Sequence, residues 1–246
     1  MAQDPLDMLA GFRRRFVVTP GAGAVTAAVE DDYHCMAVTL RHDGATVTAI
    51  DPVMERAPWT TCPGAPAVLR ATFTGVALAK VSARTAKQAN CTHLHDLAVL
   101  AAAHADDAAP VIFDILASDA VDGVVTAEIR RDGVALVRIT HRDDVIVTPV
   151  EIAGISLFKL RDWINALDEP YREAARLLQW GAILAHGRAI PIARQSDASL
   201  MPPNCYTFQP ENKARATRIG RIIDFTAENA APLDHFDGER FIARAR

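Results

Sequence analysis

The sequence predicts an α+β fold in which antiparallel β-hairpins pack against helices. Two Asp-Gly dipeptides, Asp43-Gly44 and Asp132-Gly133, each separate two runs in which apolar and polar residues alternate, the pattern of a β-hairpin with a tight turn. Each hairpin is followed by two segments with apolar residues at helical spacing. The order hairpin, helix, helix therefore occurs twice, and we interpret the chain as two pseudo-duplicated units.

Length and composition indicate an ordered globular protein. The chain has 246 residues, of which 50% are hydrophobic and 23% are charged, and this balance excludes extensive disorder. We expect one compact domain made of four segments. These are an N-terminal arm with a first strand (1–29), a first hairpin-helix-helix unit with the Cys/His cluster (30–108), a second hairpin-helix-helix unit (109–188) and a C-terminal wrap (189–246).

The chain is expected to begin with an arm and a strand. Residues 1–20 are predicted to be loosely held, and Ala24–Glu30 is predicted to form a strand. Tyr33–Arg41 then alternates apolar and polar residues, and Ala45–Val53 is the return strand of the first hairpin.

A two-residue Asp-Gly turn defines the register of this hairpin. It places Leu40 opposite Val47 and His34 opposite Val53. One face of the hairpin is then apolar except for His34 and Asp51. The helices of the unit are expected to pack on this face.

Two helices are predicted after the first hairpin. Proline is favoured in the first helical turn, so Pro63 predicts a helix that has Cys62 as its N-cap and runs to about Phe73. The second helix is expected to begin near Cys91 and to end at about Ala105.

The second half is predicted to repeat this order. Val124–Arg131 and Val134–Val147 are the expected strands, and Ile155–Leu167 and Pro170–His186 are the expected helices. The segment from residue 189 onwards combines several prolines with aromatic residues, which is typical of an ordered wrap over a domain.

Cys62, Cys91, His93 and His34 form the candidate site. Both cysteines lie at predicted helix N-termini, where free backbone amides and the helix dipole favour the thiolate. His93 follows in the first turn of the second helix, and His34 projects from the hairpin face on which the helices pack. We expect Cys62, Cys91, His34 and one of the two histidines, His93 or His95, to converge as catalytic groups, or as a tetrahedral set of nitrogen and sulfur ligands for zinc.

Further residues are candidates for supporting roles around this site. Asp32 precedes His34 by two residues on the same strand face and is expected to orient its imidazole. His95 shares a helix face with Cys91, although a position at the surface is expected for it. The possible supporting residues are Asp32, Asp51, His95 and Tyr206.

Each of these side chains also has a purely structural interpretation. The two candidate thiols could be small buried hydrophobes, and His34 could be a hydrogen-bonded core residue. Cys35 points to the opposite face of its strand and is expected to be structural. His42 and His141 lie at or near strand ends and are expected to be solvated.

Charge and hydropathy exclude several classes of partner. The net charge of −4 argues against a nucleic-acid binder. No apolar run approaches the roughly 18 residues of a membrane-spanning helix. The N-terminus lacks the order of a signal peptide, so we expect a cytoplasmic protein with reduced thiols. Neither a glycine-rich phosphate loop nor a Gly-x-Ser-x-Gly motif is present.

Residues 30–105 carry a series of motifs in a fixed order: Asp32-x-His34, then Pro58 and Cys62, then Cys91-Thr92-His93-Leu94. This series resembles a bacterial domain family of unknown function, and the Cys-Thr-His-Leu motif is the most specific part of the resemblance. The family has no settled activity. The resemblance therefore implies site residues without implying a reaction.

The first unit is also similar, more distantly, to the iron–sulfur cluster assembly scaffold proteins. Those proteins have one cysteine before a hairpin with an Asp/Asn-Gly turn and two further cysteines that each open a helix. Cys35, Cys62 and Cys91 occupy the corresponding positions here. The resemblance implies a related fold and, as a less favoured alternative to zinc, an iron–sulfur cluster.

Three classes of function remain open on these observations. The first is an enzyme of the lyase, isomerase or hydrolase type that acts on a small, partly apolar organic substrate. The second is a carrier or scaffold for a metal or an iron–sulfur cluster. The third is a domain that binds a small molecule or a protein without turnover. The sequence does not predict the substrate or the oligomeric state.

Overall fold

The computed structural model describes residues 4–84 and 86–235 and confirms an α+β fold. Its contacts divide the chain into two units. One consists of residues 16–111, 192–222 and 233–235, and we call it the cysteine unit because all four cysteines belong to it. The other consists of residues 4–15, 112–191 and 223–232, and we call it the cysteine-free unit.

The cysteine unit contains an antiparallel sheet and two helices that follow its strands. The sheet order is β4-β3-β2-β1, so strands that are consecutive in the chain are neighbours. Strand β1 supplies only its residues 16–21 to this unit. The elements are β1 (Gly11–Gly21), β2 (Ala24–Asp31), β3 (Cys35–His42), β4 (Val47–Arg56), α1 (Ala65–Phe73) and α2 (Thr92–Ala103).

The cysteine-free unit has the same order of elements, four strands and then two helices. Its strand order is β1-β5-β6-β7-β8, and β1 contributes its first five residues, 11–15, to this unit. Its elements are β5 (Val111–Ser118, from residue 112 onwards), β6 (Val124–Arg131), β7 (Val134–Arg142), β8 (Val145–Thr148), α3 (Arg161–Ala166) and α4 (Tyr171–Ala185). The predicted order of hairpin, helix and helix is therefore present in both units.

The expectation of a loosely held arm over residues 1–20 is wrong, because residues 11–21 form the longest strand, β1. Phe12, Phe16 and Val18 are buried on alternate positions of this strand. Their alternation was obscured in the sequence by three consecutive arginines. Arg15 extends from the strand to pair with Asp114 at 2.7 Å, which explains why a basic run fits a β-strand here.

The predicted register of the first hairpin is also wrong. Leu40 lies opposite Ile50 instead of Val47. The loop between the strands has four residues, 43–46, because the Asp43 carboxylate accepts hydrogen bonds from the backbone N–H groups of Ala45 and Thr46. This side-chain interaction lengthens the turn and shifts the pairing by three residues.

The second hairpin does have the predicted two-residue turn, since Arg131 pairs with Val134 across it. Its expected return strand, 134–147, is interrupted. Asp143 and Asp144 both have positive φ angles, 48° and 67°, and form a second tight turn that separates β7 from β8. One long predicted strand is therefore two antiparallel strands.

The observed helices lie where the sequence predicts them, but some of them are shorter than predicted. Helix α1 ends at Phe73 as predicted, but it begins at Ala65, after a 3-10 turn that contains Cys62. The predicted helix 155–167 is shortened to α3. Helix α4 agrees closely with its prediction.

The core of the cysteine unit is formed where α2 packs on β2 and β3 and α1 packs on β4. The C-terminal segment adds two short helices, α5 (Ile192–Gln195) and α6 (Pro210–Lys213), and buries Phe208 against Trp59. The predicted wrap covers residues 189–246, of which residues 236–246 lie outside the described part of the chain. Among the described residues, no helix combines the length and the apolar character that crossing a membrane requires.

Candidate functional site

His34 lies in the short turn between β2 and β3, where a buried carboxylate holds it. The Asp31 side chain accepts hydrogen bonds from the backbone N–H groups of Tyr33 and His34 at 2.8 and 2.9 Å. The same oxygen, Oδ1, lies 2.9 Å from His34 Nδ1. Asp31 is completely buried and His34 is 7% exposed. The turn is therefore shaped by the same carboxylate that orients the ring.

The expectation that Asp32 orients His34 is wrong, because Asp31 does so. An ionised carboxylate only accepts hydrogen bonds, so this contact assigns the proton of the neutral imidazole to Nδ1. Nε2 then carries the lone pair and is the atom that can accept a proton or bind a metal. In the part of the chain that the structure describes, no hydrogen bond to His34 Nε2 is made.

Arg56, the last residue of β4, fixes this turn from the neighbouring strand. Its guanidinium donates to the backbone carbonyls of Asp31 and Asp32 at 2.7 and 2.8 Å, and to the Glu30 carboxylate at 3.0 Å. Three acceptors on consecutive residues make the turn rigid, since the planar guanidinium offers its donors in a fixed fork. His34 is thus held both by its own turn and by the adjacent strand.

His93 enters the site from the first turn of α2. Its ring stacks on the ring of His34, with centroids 3.8 Å apart and planes inclined by 29°. One potential ligand atom from each of Asp31, His34 and His93 lies within 4.8 Å of the other two. Cys91 is the N-cap of α2, as predicted. The first turn of α2 therefore positions the His93 imidazole against that of His34.

The two candidate thiols do not join this group. Cys62 Sγ lies 3.4 Å from the Thr207 hydroxyl, and Cys62 packs with Trp59 and Phe208. Burial raises the pKa of Cys62, and it raises the pKa of Cys91 to about 12. The prediction that helix N-termini make thiolates of these free thiols is therefore wrong, since desolvation outweighs the backbone amides.

The geometry does not assemble the cysteine set of an iron–sulfur scaffold. Cys35 packs in a separate apolar cluster with Ala28, Ala37 and Leu233, and burial raises its pKa to about 12. Cys62 belongs to the cluster around Trp59. The three cysteines therefore do not fit a shared cluster, and the prediction that Cys35 points away from the site agrees with this placement.

Two of the supporting candidates interact elsewhere. The Asp51 carboxylate pairs with Arg41 at 2.9 Å, because the register shift places Asp51 opposite Thr39. The Tyr206 phenol occupies the space that a side chain at Gly64 would fill, just before α1. Both residues therefore stabilise local structure.

His95 is a third supporting candidate, and its predicted surface position is wrong. The residue is buried, and its ring packs against Phe73 with a centroid separation of 5.1 Å. Its Nδ1 atom lies 3.9 Å from the Asp96 carboxylate. His95 thus belongs to the packing beneath the start of α2.

Sequence reasoning missed Arg218, which joins the cysteine unit from the C-terminal segment. Its guanidinium lies 5.6 Å from the centroid of the Tyr33 ring and 5.7 Å from that of the Trp59 ring. Burial lowers the pKa of Arg218, and no carboxylate pairs with it in residues 4–84 and 86–235. The Tyr33 ring in turn contacts the His34 ring edge-on at 6.2 Å. Arg218 is more than 150 residues away in the sequence from both Tyr33 and Trp59, so no local pattern predicted its contacts with them.

Residues 17–106 match the model of a family described as "Protein of unknown function (DUF2889)". The matched segment contains both stacked histidines, but it contains neither Arg218 nor the strands β5–β8. No curated protein matches the chain.

Proposed function

We propose that this protein is a cytoplasmic bacterial enzyme that transfers protons on a small, partly apolar organic substrate, as a lyase, isomerase or hydrolase does. The observation that carries the proposal is the stacked pair of His34 and His93 with Asp31 hydrogen-bonded to the first ring. A buried carboxylate behind an imidazole is a recurrent arrangement of general bases.

Each residue of the pair has a defined part in such a reaction. Asp31 keeps the proton of His34 on Nδ1, so that Nε2 takes a proton from a substrate C–H bond or from water. The resulting imidazolium is stabilised by the Asp31 carboxylate and returns the proton to the substrate or to its leaving group. His93, stacked beside it, offers a second imidazole for a hydrogen bond to the reacting molecule.

Arg218 supports an organic anion as the substrate. Its cation lies against the aromatic rings of Tyr33 and Trp59 without a carboxylate partner among the described residues. A guanidinium in this setting suits a carboxylate ligand, and the two rings suit the apolar remainder of a small molecule. We therefore propose a small carboxylic acid with an apolar body as the substrate class.

A zinc-dependent form of the same site is the second candidate. Its support is that ligand atoms of Asp31, His34 and His93 lie within 4.8 Å of one another. His34 and His93 would then hold the metal, which supplies a Lewis acid, while Asp31 orients His34. The cysteines give little support to a carrier of iron–sulfur clusters, because Cys35 lies in a different apolar cluster from Cys62 and burial raises the pKa of Cys35, Cys62 and Cys91.

The test of the proposal is isotope exchange in heavy water. The full chain is incubated in D2O with a panel of small aliphatic and aromatic carboxylic acids, and NMR follows both deuterium incorporation and product formation. The variant His34→Asn is the sharpest probe, since its amide nitrogen can still donate to Asp31 while Nε2 is removed. We expect its rate to fall by about 10²- to 10⁴-fold.

Two further variants separate the proposed roles. Asp31→Asn should lower the rate similarly, whereas Arg218→Met should raise KM for a carboxylate about 10- to 100-fold and leave kcat nearly unchanged. His42→Gln, at the last residue of β3, is the matched control and should change nothing. An exchange rate that His34→Asn leaves intact in a folded protein would contradict the proposal. Binding without exchange by any member of the panel would indicate a non-catalytic binding domain.

A further inference from the structure

A second pair of histidines lies in the cysteine-free unit, and its first member is unexpectedly buried. His141, on strand β7, is only 2% exposed, whereas the sequence predicted a solvated position. Both of its ring nitrogens are inaccessible to solvent and have no hydrogen-bond partner among the described residues. A buried polar group without a partner is rare in folded proteins and calls for a physical explanation.

Two polar side chains converge on this ring from different elements. Asp144 comes from the tight turn between β7 and β8, and His186 directly follows the last turn of α4. His186 Nε2 lies 2.9 Å from Asp144 Oδ1, and the rings of His141 and His186 meet edge-on with centroids 5.9 Å apart. Ligand atoms of all three residues lie within 4.8 Å of one another.

The chemistry of these three groups is that of a zinc ligand set. Two imidazole nitrogens and a carboxylate oxygen bind zinc at about 2.0–2.2 Å, and a fourth position remains for water. Ligands at that radius are separated by roughly 3.3 Å in a tetrahedron. His186 Nε2 and Asp144 Oδ1, 2.9 Å apart, need to separate slightly, and the third ligand atom, from His141, already lies within 4.8 Å of the other two. The negative end of the α4 dipole also favours a cation beside His186.

We propose that the cysteine-free unit binds one divalent transition-metal ion, zinc by its ligand preference, through His141, Asp144 and His186. The metal gives the buried imidazole of His141 the partner that it lacks among the described residues. The proposal does not depend on the proposed function, because all three residues lie outside the cysteine unit. It also lies outside the segment that matches the family model.

The competing explanation is that His186 and Asp144 form an ordinary ion pair above a histidine that only fills space. The two explanations differ in one variant. His141→Leu keeps a side chain of similar volume and removes the buried nitrogens, so the protein should remain folded in either case. If the three residues form a metal site, His141→Leu lowers the affinity for zinc. If they form only an ion pair above a space-filling histidine, the variant has no effect on zinc binding.

The experiment uses the full chain with His34→Asn and His93→Gln, which removes the two stacked histidines of the candidate site, after treatment with a chelator. Zinc is titrated by calorimetry, and cobalt(II) is titrated by its visible spectrum, which reports nitrogen and oxygen coordination. We expect one equivalent of metal and a zinc-dependent rise in the unfolding temperature. Further introduction of His141→Leu or His186→Gln should weaken zinc binding at least tenfold and abolish the rise.

Asp144→Asn is the conservative variant, since asparagine tolerates the positive φ of 67° at this position. It should weaken zinc binding while the far-ultraviolet spectrum stays unchanged, and His42→Gln should behave as the parent chain. Zinc binding that is absent from the parent chain, or equal in the parent and in folded His141→Leu, would overturn the proposal. Because His34 and His93 are already replaced, neither outcome bears on the proton-transfer function.

Discussion

Each of the two units brings two histidines and an aspartate together, but the units complete these clusters differently. In the cysteine unit the Asp31 carboxylate satisfies His34 Nδ1 and two backbone amides at once, and the second ring stacks at 3.8 Å. In the cysteine-free unit Asp144 pairs with His186, while both nitrogens of His141 lack a hydrogen-bond partner in the described chain.

The difference shows how the same residue types are suited to different chemistry. A carboxylate that is already committed to an imidazole and to its own turn pre-organises that ring as a base. A buried imidazole whose nitrogens have no acceptor or donor is suited to a cation that arrives from outside. Both clusters contain two histidines and an aspartate. The two proposals differ because the hydrogen bonds of the imidazole nitrogens differ between the clusters.

The largest expected effect concerns the thiols, because the comparison holds only if the imidazoles rather than the cysteines carry the chemistry of the cysteine unit. Burial raises the pKa of Cys91 from 9.0 to about 12, which leaves about a thousandfold less thiolate at neutral pH. We expect iodoacetamide at pH 8 to modify Cys91 at least a thousandfold more slowly in the native protein than in urea. Mass spectrometry of timed samples measures this ratio.

Fast native alkylation of Cys91 would restore the thiols as candidates and break the comparison. Cys35, whose pKa is also raised to about 12 by burial, is the matched internal control. Both residues should become reactive together when the unit unfolds.

The second expected effect compares two tryptophans, one in each unit. Trp59 is buried and meets the Phe208 ring edge-on at 5.3 Å, so Trp59→Ala should lower the free energy of unfolding by about 3–5 kcal/mol. Trp180, on α4, is 39% exposed, and Trp180→Ala should cost less than about 1 kcal/mol. Urea unfolding of the two variants measures both values.

This prediction sharpens the comparison because Trp59 links the C-terminal segment to the candidate site. If Trp59→Ala lowers the free energy of unfolding as little as Trp180→Ala does, packing on Trp59 does not fix the C-terminal segment, and Arg218 with it, beside the candidate site. Cleavage of residues 192–222 by a protease under native conditions would then show independently that this segment is weakly attached.

The outcome for the fold shows what local sequence patterns determine. A strand-like stretch predicted β2, alternation and turn chemistry predicted β6, and apolar residues at helical spacing predicted α4, since the signals for these elements lie within or beside the elements themselves. The register of the first hairpin was missed because the Asp43 side chain reorganises its own turn. A dipeptide pattern does not reveal which of two hydrogen-bonded turns is the more stable.

The candidate site was predicted in part for the same reason. The association of His34 with His93 followed from a hairpin face and a helix start that were both visible in the sequence. The choice of Asp31 over Asp32 depends on a turn of three residues, and Arg218 and His186 arrive through contacts between distant segments. Burial, which raises the pKa of both candidate thiols, is a property of the whole unit and was not visible locally.

The smallest expected effect tests an ionic network of the cysteine-free unit. Burial alone would raise the pKa of Asp224, but hydrogen bonds from Thr226 and from Arg188 outweigh it and hold the pKa at about 2. The folded pKa is lower than the unfolded value of 3.8, so this carboxylate stabilises the fold above pH 4. That contribution is lost as the pH falls towards 2.

We expect this contribution to be about 1 kcal/mol, because the Asp224 side chain is 40% exposed and solvent screens the pair. Fluorescence in a Trp59→Phe background leaves only the tryptophans of the cysteine-free unit, Trp163 and Trp180, to report its unfolding in urea. The difference in unfolding free energy between this protein and its Asp224→Asn form should shrink from pH 5 to pH 2.5. A difference that is constant over this range would mean that Asp224 is not held ionised by Arg188, and that the polar network of this unit is looser than the one around Arg56.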